Sequence, residues 1–112
     1  MKYTVSLKLN KDFKRLYYRG KFKASPVLVT YILKCRGKQC RMGITVSKKI
    51  GKAVVRNRVR RIIKAAYREV EPQFHLAGYD VVFVARSKAV EKKSTDISRE
   101  MKKQLGALLA KK

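Results

Sequence analysis

Between Asp12 and Glu69 the chain carries eighteen lysines and arginines and not one acid. A segment charged in this way repels itself unless a fold spreads the charge and a partner of opposite sign meets it. Its densest part, Ser47 to Arg68, reads SKKIGKAVVRNRVRRIIKAAYR and threads apolar residues through nine cations. Stepped at about 100° per residue, Val55, Val59, Ile62, Ile63, Ala66 and Val70 fall in one arc, and Arg56, Asn57, Arg60, Arg61, Lys64 and Arg68 fall in the opposite one. Arg58 lies at the edge, within reach of a core-side polar partner or of a ligand. The pattern predicts an amphipathic helix from Ala53 to about Val70, stopped by Pro72. One arc docks on a core and the other faces a partner.

Thirty Lys and Arg against seven acids give +23 at pH 7 in 112 residues, and nucleic acid is the first partner to consider. The length suits one domain spanning residues 1–112, with 46% hydrophobic residues to build its core. A membrane partner is not expected. No 18-residue apolar run occurs, and a peripheral anchor would need a helix face left free for lipid. The opening MKYTVSLKLN lacks the apolar core of a signal peptide. Cys35, Cys40 and the single His75 are too few for a zinc site. A cytoplasmic protein with reduced thiols is expected, with a Cys35–Cys40 disulfide as the lesser alternative.

Asn10, Asp12 and the set Phe13, Leu16, Tyr17 predict a short helix with Asn10 as N-cap, ended by Gly20. Lys21 to Ala24 is a candidate strand. Val27 to Lys34 alternates β-branched and aromatic residues and predicts a strand covered on both sides. Arg41 to Ser47 resumes period two after the turn Arg36–Gln39, so the two strands are expected to pair as an antiparallel hairpin. Tyr79 to Ala85 is apolar on both faces and belongs in the middle of a sheet. Ser94, Thr95 and Asp96 open a last helix with Ile97, Met101, Leu105, Leu108 and Leu109 in one stripe. The order α-β-β-β-α-β-α predicts an α+β sandwich, a mixed sheet packed with helices.

A self-sufficient metal-dependent nuclease needs carboxylates converging on divalent ions about 4 Å apart. The acids Asp12, Glu69, Glu71, Asp80, Glu91, Asp96 and Glu100 are scattered, so no catalytic or metal-binding residue is assigned. His75 reads as a surface or loop residue. What the sequence does carry is a phosphate-binding face: Arg56, Arg60, Lys64 and Arg68 share one helix ridge, and Lys48, Lys49 and Lys52 extend it into the preceding loop. A merely solvated face would interleave acids for i, i+4 pairing, and none does so here. Phe13, Tyr17 and Tyr31 are candidate stacking rings for an unpaired strand. Read from the pattern alone, they belong to the core.

The segment SKKIGKAVVRNRVRRIIKAAYRE, centred on Arg56-Asn57-Arg58, resembles the signature of the bacterial ribonuclease P protein subunit. NKDFKRLYYRGKF resembles that family's first helix and RMGITVSKK its third strand, so the resemblance runs over most of the chain. It implies a ribosomal-protein-like fold with a left-handed crossover. It also implies a hydrolase whose active centre lies in a large catalytic RNA, where magnesium held mainly by RNA hydrolyses precursor tRNA at the 5′ end of the mature tRNA. The protein then binds the catalytic RNA and the substrate's 5′ leader, and no further protein partner is called for. Carried over by position, Arg56, Asn57, Arg58, Arg60, Arg61 and Lys64 face RNA, while Phe13, Tyr17 and Tyr31 become cleft aromatics that meet the leader. A ribosomal or other structural RNA-binding protein fits size and charge equally, and only the Arg56-Asn57-Arg58 context separates the two.

Overall fold

A five-stranded sheet in the order β1-β4-β5-β3-β2 organises the structure, a computed structural model that describes residues 4–35, 37 and 39–109. In chain order the elements are β1 (Thr4–Ser6), α1 (Asn10–Arg19), β2 (Lys21–Ala24), β3 (Leu28–Lys34), β4 (Cys40–Thr45), α2 (Ala53–Val70), β5 (Tyr79–Ala85) and α3 (Ser94–Leu109). Short 3₁₀ turns at Lys48–Ile50, Glu71–Gln73 and Ser87–Glu91 flank α2 and lead into α3. The expected α+β architecture is present, with one strand, β1, that the sequence pattern did not reveal.

β5 occupies the central slot, as its two apolar faces require, and this overturns the expected hairpin. β3 and β4 do not pair with each other: β3 runs antiparallel to β5, and β4 runs parallel to β5 on its other side. The reason is burial, because Val81 and Phe83 on one face and Val82 on the other are fully buried only with a strand on each side. The connection from β3 to β4 therefore straddles the start of β5, where Cys35 N–H donates to the Gly78 carbonyl and Gly78 N–H donates to that of Gln39. Gly78 takes φ +84°, and an added Cβ would meet the Gly37 carbonyl at 3.4 Å, so the crossing point favours glycine. Arg36 and Lys38 of the expected turn lie outside the described residues.

One sheet face is sealed by α2 and α3. Val59, Ile63, Ala66, Tyr67 and Val70 of α2 and Ile97, Met101 and Leu105 of α3 bury against Leu28, Ile32, Met42, Val81 and Phe83. Gln104 fixes α3 to β3 by accepting from the Thr30 hydroxyl at 2.6 Å and donating to the Leu28 carbonyl at 2.8 Å. Tyr67 reaches the β1–β4 end of the core, where its hydroxyl lies 2.8 Å from Thr4 Oγ1 and 3.4 Å from Cys40 Sγ. Thr4 in turn donates to the buried Glu71 carboxylate. Burial pushes both the Cys40 thiol and the Tyr67 phenol above their ordinary pKa values. Both cysteines are free thiols.

Among the described residues the opposite face is covered by α1 and by Leu7 just before it, with Leu16 packed on Val82. Its helix starts at Asn10 with Leu9 in the N-cap position and no side-chain cap, so Asn10 is the first helical residue and not the expected cap. Asp12 is buried and ion-paired, which the expectation of a simple first-turn acid missed. Gly20 ends the helix as expected.

Candidate nucleic-acid interface

Seen down its axis, α2 has three sides. Val59, Ile63, Ala66 and Val70 enter the core. On one flank, stepped 60 to 160° from Ile63 at about 100° per residue, stand Arg60, Lys64, Asn57 and Arg61. These four form one wall of a groove of about 400 Å³ whose other wall is Leu7, Phe13 and Gly43. Arg60 donates to Asn57 Oδ1 at 3.2 Å, which aligns two residues of that wall. On the other flank, Glu69 accepts a 2.7 Å bond from Ser98 of α3, and Arg58 donates to the Val90 carbonyl at 3.3 Å.

The Arg56-Asn57-Arg58 triplet is therefore split three ways. Asn57 faces the groove. Arg58 is exposed and reaches the Val90 carbonyl in the turn before α3, a surface partner and not a core-side one. Arg56 is half-buried and turns back, its Nε donating to the Gly51 carbonyl at 3.1 Å, which pins the loop holding Lys48, Lys49 and Lys52 to the helix. Those three lysines are exposed around the N-terminus of α2, which has no side-chain cap and no acid in its first turn. An uncapped positive helix end among lysines is a site for anions such as phosphate. Arg68 is exposed one turn beyond Lys64 and does not line the groove.

The three predicted rings meet on the open sheet face. Phe13 and Tyr17, one turn apart on α1, have centroids 6.4 Å apart, and Tyr17 meets Tyr31 of β3 edge-on at 5.0 Å. Phe22 of β2 extends the row, 5.4 Å from Tyr31, because the β2–β3 register sets the two opposite each other. Its strand is short and exposed at every residue, so no periodicity marked it. Thr45 also joins the site, its hydroxyl 2.7 Å from that of Tyr17. Exposure is uneven along the row: Tyr17 is 40% and Phe22 57% accessible, while Phe13 and Tyr31 are half-buried against Leu7, Leu16 and Val82. Phe13 lies against Gly43, where an added Cβ would come within 2.5 Å of its ring. Phe13 also lines a second depression with Asn10, Lys14, Tyr17 and Thr45, so the cationic wall of α2 and the row of rings form one continuous surface.

No group of three or more His, Cys, Asp and Glu side chains among the described residues could hold a metal ion. Asp12 and Asp80 do meet, but as partners of arginines. Arg41 donates to both Asp80 oxygens at 2.9 and 2.7 Å and to Asp12 at 3.2 Å, and Arg15 donates to Asp12 at 3.0 Å. The bond to Asp80 raises the Arg41 pKa above its ordinary value. His75 is exposed beyond the Glu71–Gln73 turn, and no helix of the described residues is long and apolar enough to cross a membrane.

The family model for ribonuclease P matches residues 1–109. The chain belongs to that family. A ribonuclease P protein component of Clostridioides difficile is 46% identical over 99 residues, which span 88% of this chain and 87% of the relative. Among solved structures, a mutant of the Staphylococcus aureus RNase P protein superposes with TM-score 0.79 at 30% identity, covering 91% of this chain and 86% of that one. The Thermotoga maritima RNase P protein does so with TM-score 0.76 at 26% identity, covering 92% and 94%. The ribonuclease P protein is the RNA-binding component of a ribonucleoprotein that processes tRNA 5′ ends, and the ribosomal-protein alternative is not favoured.

Proposed function

We propose that this chain binds the catalytic RNA of ribonuclease P through the cationic side of α2 and its lysine loop, and holds the 5′ leader of precursor tRNA along Phe13, Tyr17, Tyr31 and Phe22. The observation that carries this reading is that Phe13 lines both the groove walled by Asn57, Arg60, Arg61 and Lys64 and the depression floored by Tyr17. A strand whose phosphates follow the cations is led directly onto rings where unpaired bases stack. Arg61 and Lys64 are exposed, suited to a backbone of varying sequence, while the Arg60–Asn57 bond fixes one donor pair in place.

The chemistry itself is assigned to the RNA. The donor set here does not fit a magnesium cage, since Asp12 and Asp80 are both neutralised by Arg15 and Arg41. Magnesium held by the RNA would supply the activated water of the hydrolysis. The protein's share is to position leader and catalytic RNA relative to each other, in the cytoplasm and with no further protein partner. The test is cleavage of precursor tRNA by purified protein, by catalytic RNA, and by both together at low magnesium. Stimulation of the RNA by a protein inert alone is expected. Cleavage by the protein alone, or no stimulation, would overturn the reading.

A further inference from the structure

α1 crosses the open sheet face as a ridge with two unlike flanks. Stepped from Leu16 at about 100° per residue, Phe13 and Tyr17 lie 60 and 100° to one side, and Asp12, Arg19 and Arg15 lie 40 to 100° to the other. The first flank is the aromatic cleft. The second overhangs a separate depression of about 680 Å³ lined by Arg15, Arg19, Leu33, Lys34 and Arg41.

Two of its cations are built in. Asp80 is fully buried beneath the sheet surface and grips Arg41 with both oxygens, while Asp12, itself buried, bridges Arg41 and Arg15. Asp80 takes Nε and Nη2 of Arg41 and Asp12 takes Nη1, which fixes the guanidinium while two of its five N–H groups stay outside these bonds and the side chain remains 33% exposed. A fork fixed in this way has already lost the side-chain freedom that binding would otherwise cost. An ion cluster serving only to dock α1 would end there. Arg19 and Lys34 stand at the same depression, exposed, with no ion-pair partner among the described residues, and leave two charges uncompensated. Leu33 adds an apolar side chain to the lining.

We propose that this depression, on the far side of α1 from the aromatic cleft, is a second binding site for the sugar–phosphate backbone of RNA, with Arg41 and Arg15 as fixed phosphate forks and Arg19 and Lys34 as mobile ones. It rests on the reading that the protein works on RNA, and adds a contact that the cleft and the α2 groove do not contain. The backbone comes either from the leader beyond the cleft or from the catalytic RNA; the recognising chemistry is the same.

The test uses the full chain with Arg19→Ala and Lys34→Ala combined, two exposed positions whose loss leaves the melting temperature unchanged. Binding is titrated against salt for the catalytic RNA alone, and for precursor tRNA with a short or a long leader in the reconstituted complex. Two lost phosphate contacts lower the salt slope by about 1.4 to 1.8 units. A drop with the catalytic RNA alone assigns the site to that RNA; a drop confined to the long-leader substrate assigns it to the leader. Arg19→Lys with Lys34→Arg restores the slope in either case. Unchanged slopes for every RNA would overturn the proposal. Tyr17→Ala measured alongside keeps the two readings apart: a weakened leader preference there, with a silent double variant, removes the second site and leaves the cleft standing.

Discussion

Both faces of the sheet are apolar by strand alternation, yet they meet different fates. The face carrying Val81 and Phe83 is closed by two long helices, and Leu28, Val81 and Phe83 on it are fully buried. The face carrying Val82 is crossed, among the described residues, by one helix, the ten-residue α1, and to either side Val29, Tyr31 and Val84 stay half-exposed. The sealed face supplies stability, which lets the open face keep rings and cations at the surface. Ligand binding and folding are thereby placed on opposite sides of one set of strands.

Mutations on the two faces should separate accordingly. Phe83→Ala, in the sealed core, is expected to cost about 3 to 5 kcal/mol of stability, read by urea unfolding, while the protein that remains folded keeps its preference for precursor over mature tRNA. A lost preference at unchanged stability would break the division. Gly43→Ala sits on the boundary: its methyl collides with the Phe13 ring, so a cost of about 1 to 3 kcal/mol should appear in the melting curve together with a weaker leader preference.

On the α2 wall, Arg60→Ala or Lys64→Ala should flatten the salt dependence of RNA binding by about one unit of slope each, with no loss of thermal stability because both side chains are exposed. Arg58→Ala, which points to α3's side of the helix, should change the slope less than either.

The smallest effect belongs to the buried hydroxyl chain under β1. Tyr67→Phe removes its bonds to Thr4 and Cys40 and should cost about 1 kcal/mol at neutral pH. Because folding raises the Cys40 and Tyr67 pKa values, their contribution is complete below the unfolded values of about 8.5 and 10 and is lost as pH rises through the folded ones. Urea melts from pH 7 to 10.5 should show a shallower alkaline decline in Tyr67→Phe than in the parent.

Much of this division was legible in the sequence. The α2 wheel separated Val59, Ile63 and Val70 from Arg60, Lys64 and Asn57 because a helix repeats within its own length. The two-sided apolarity of Tyr79–Ala85 announced a central strand. Strand order was not legible, since alternation says which faces are covered and nothing of which neighbour covers an edge; proximity favoured a β3–β4 hairpin, and burial of β5 won. β1 and Phe22 escaped because three or four residues are too few to show a period. Asp12 and Asp80 were read as scattered acids, and their pairing through Arg41 depends on the parallel β4–β5 register that sets Arg41 beside Asp80.

The leader cleft depends most on Tyr17, which is exposed on the open face, hydrogen-bonded through its hydroxyl to Thr45, and in ring contact with Phe13 and Tyr31. In the complex with catalytic RNA, Tyr17→Ala should weaken binding of leader-bearing precursor tRNA by about 1 to 3 kcal/mol, leaving mature tRNA affinity and the protein's melting temperature as they were. Equal weakening of both tRNAs, or a fall in stability with leader preference intact, would return the ring to the core and contradict the leader cleft.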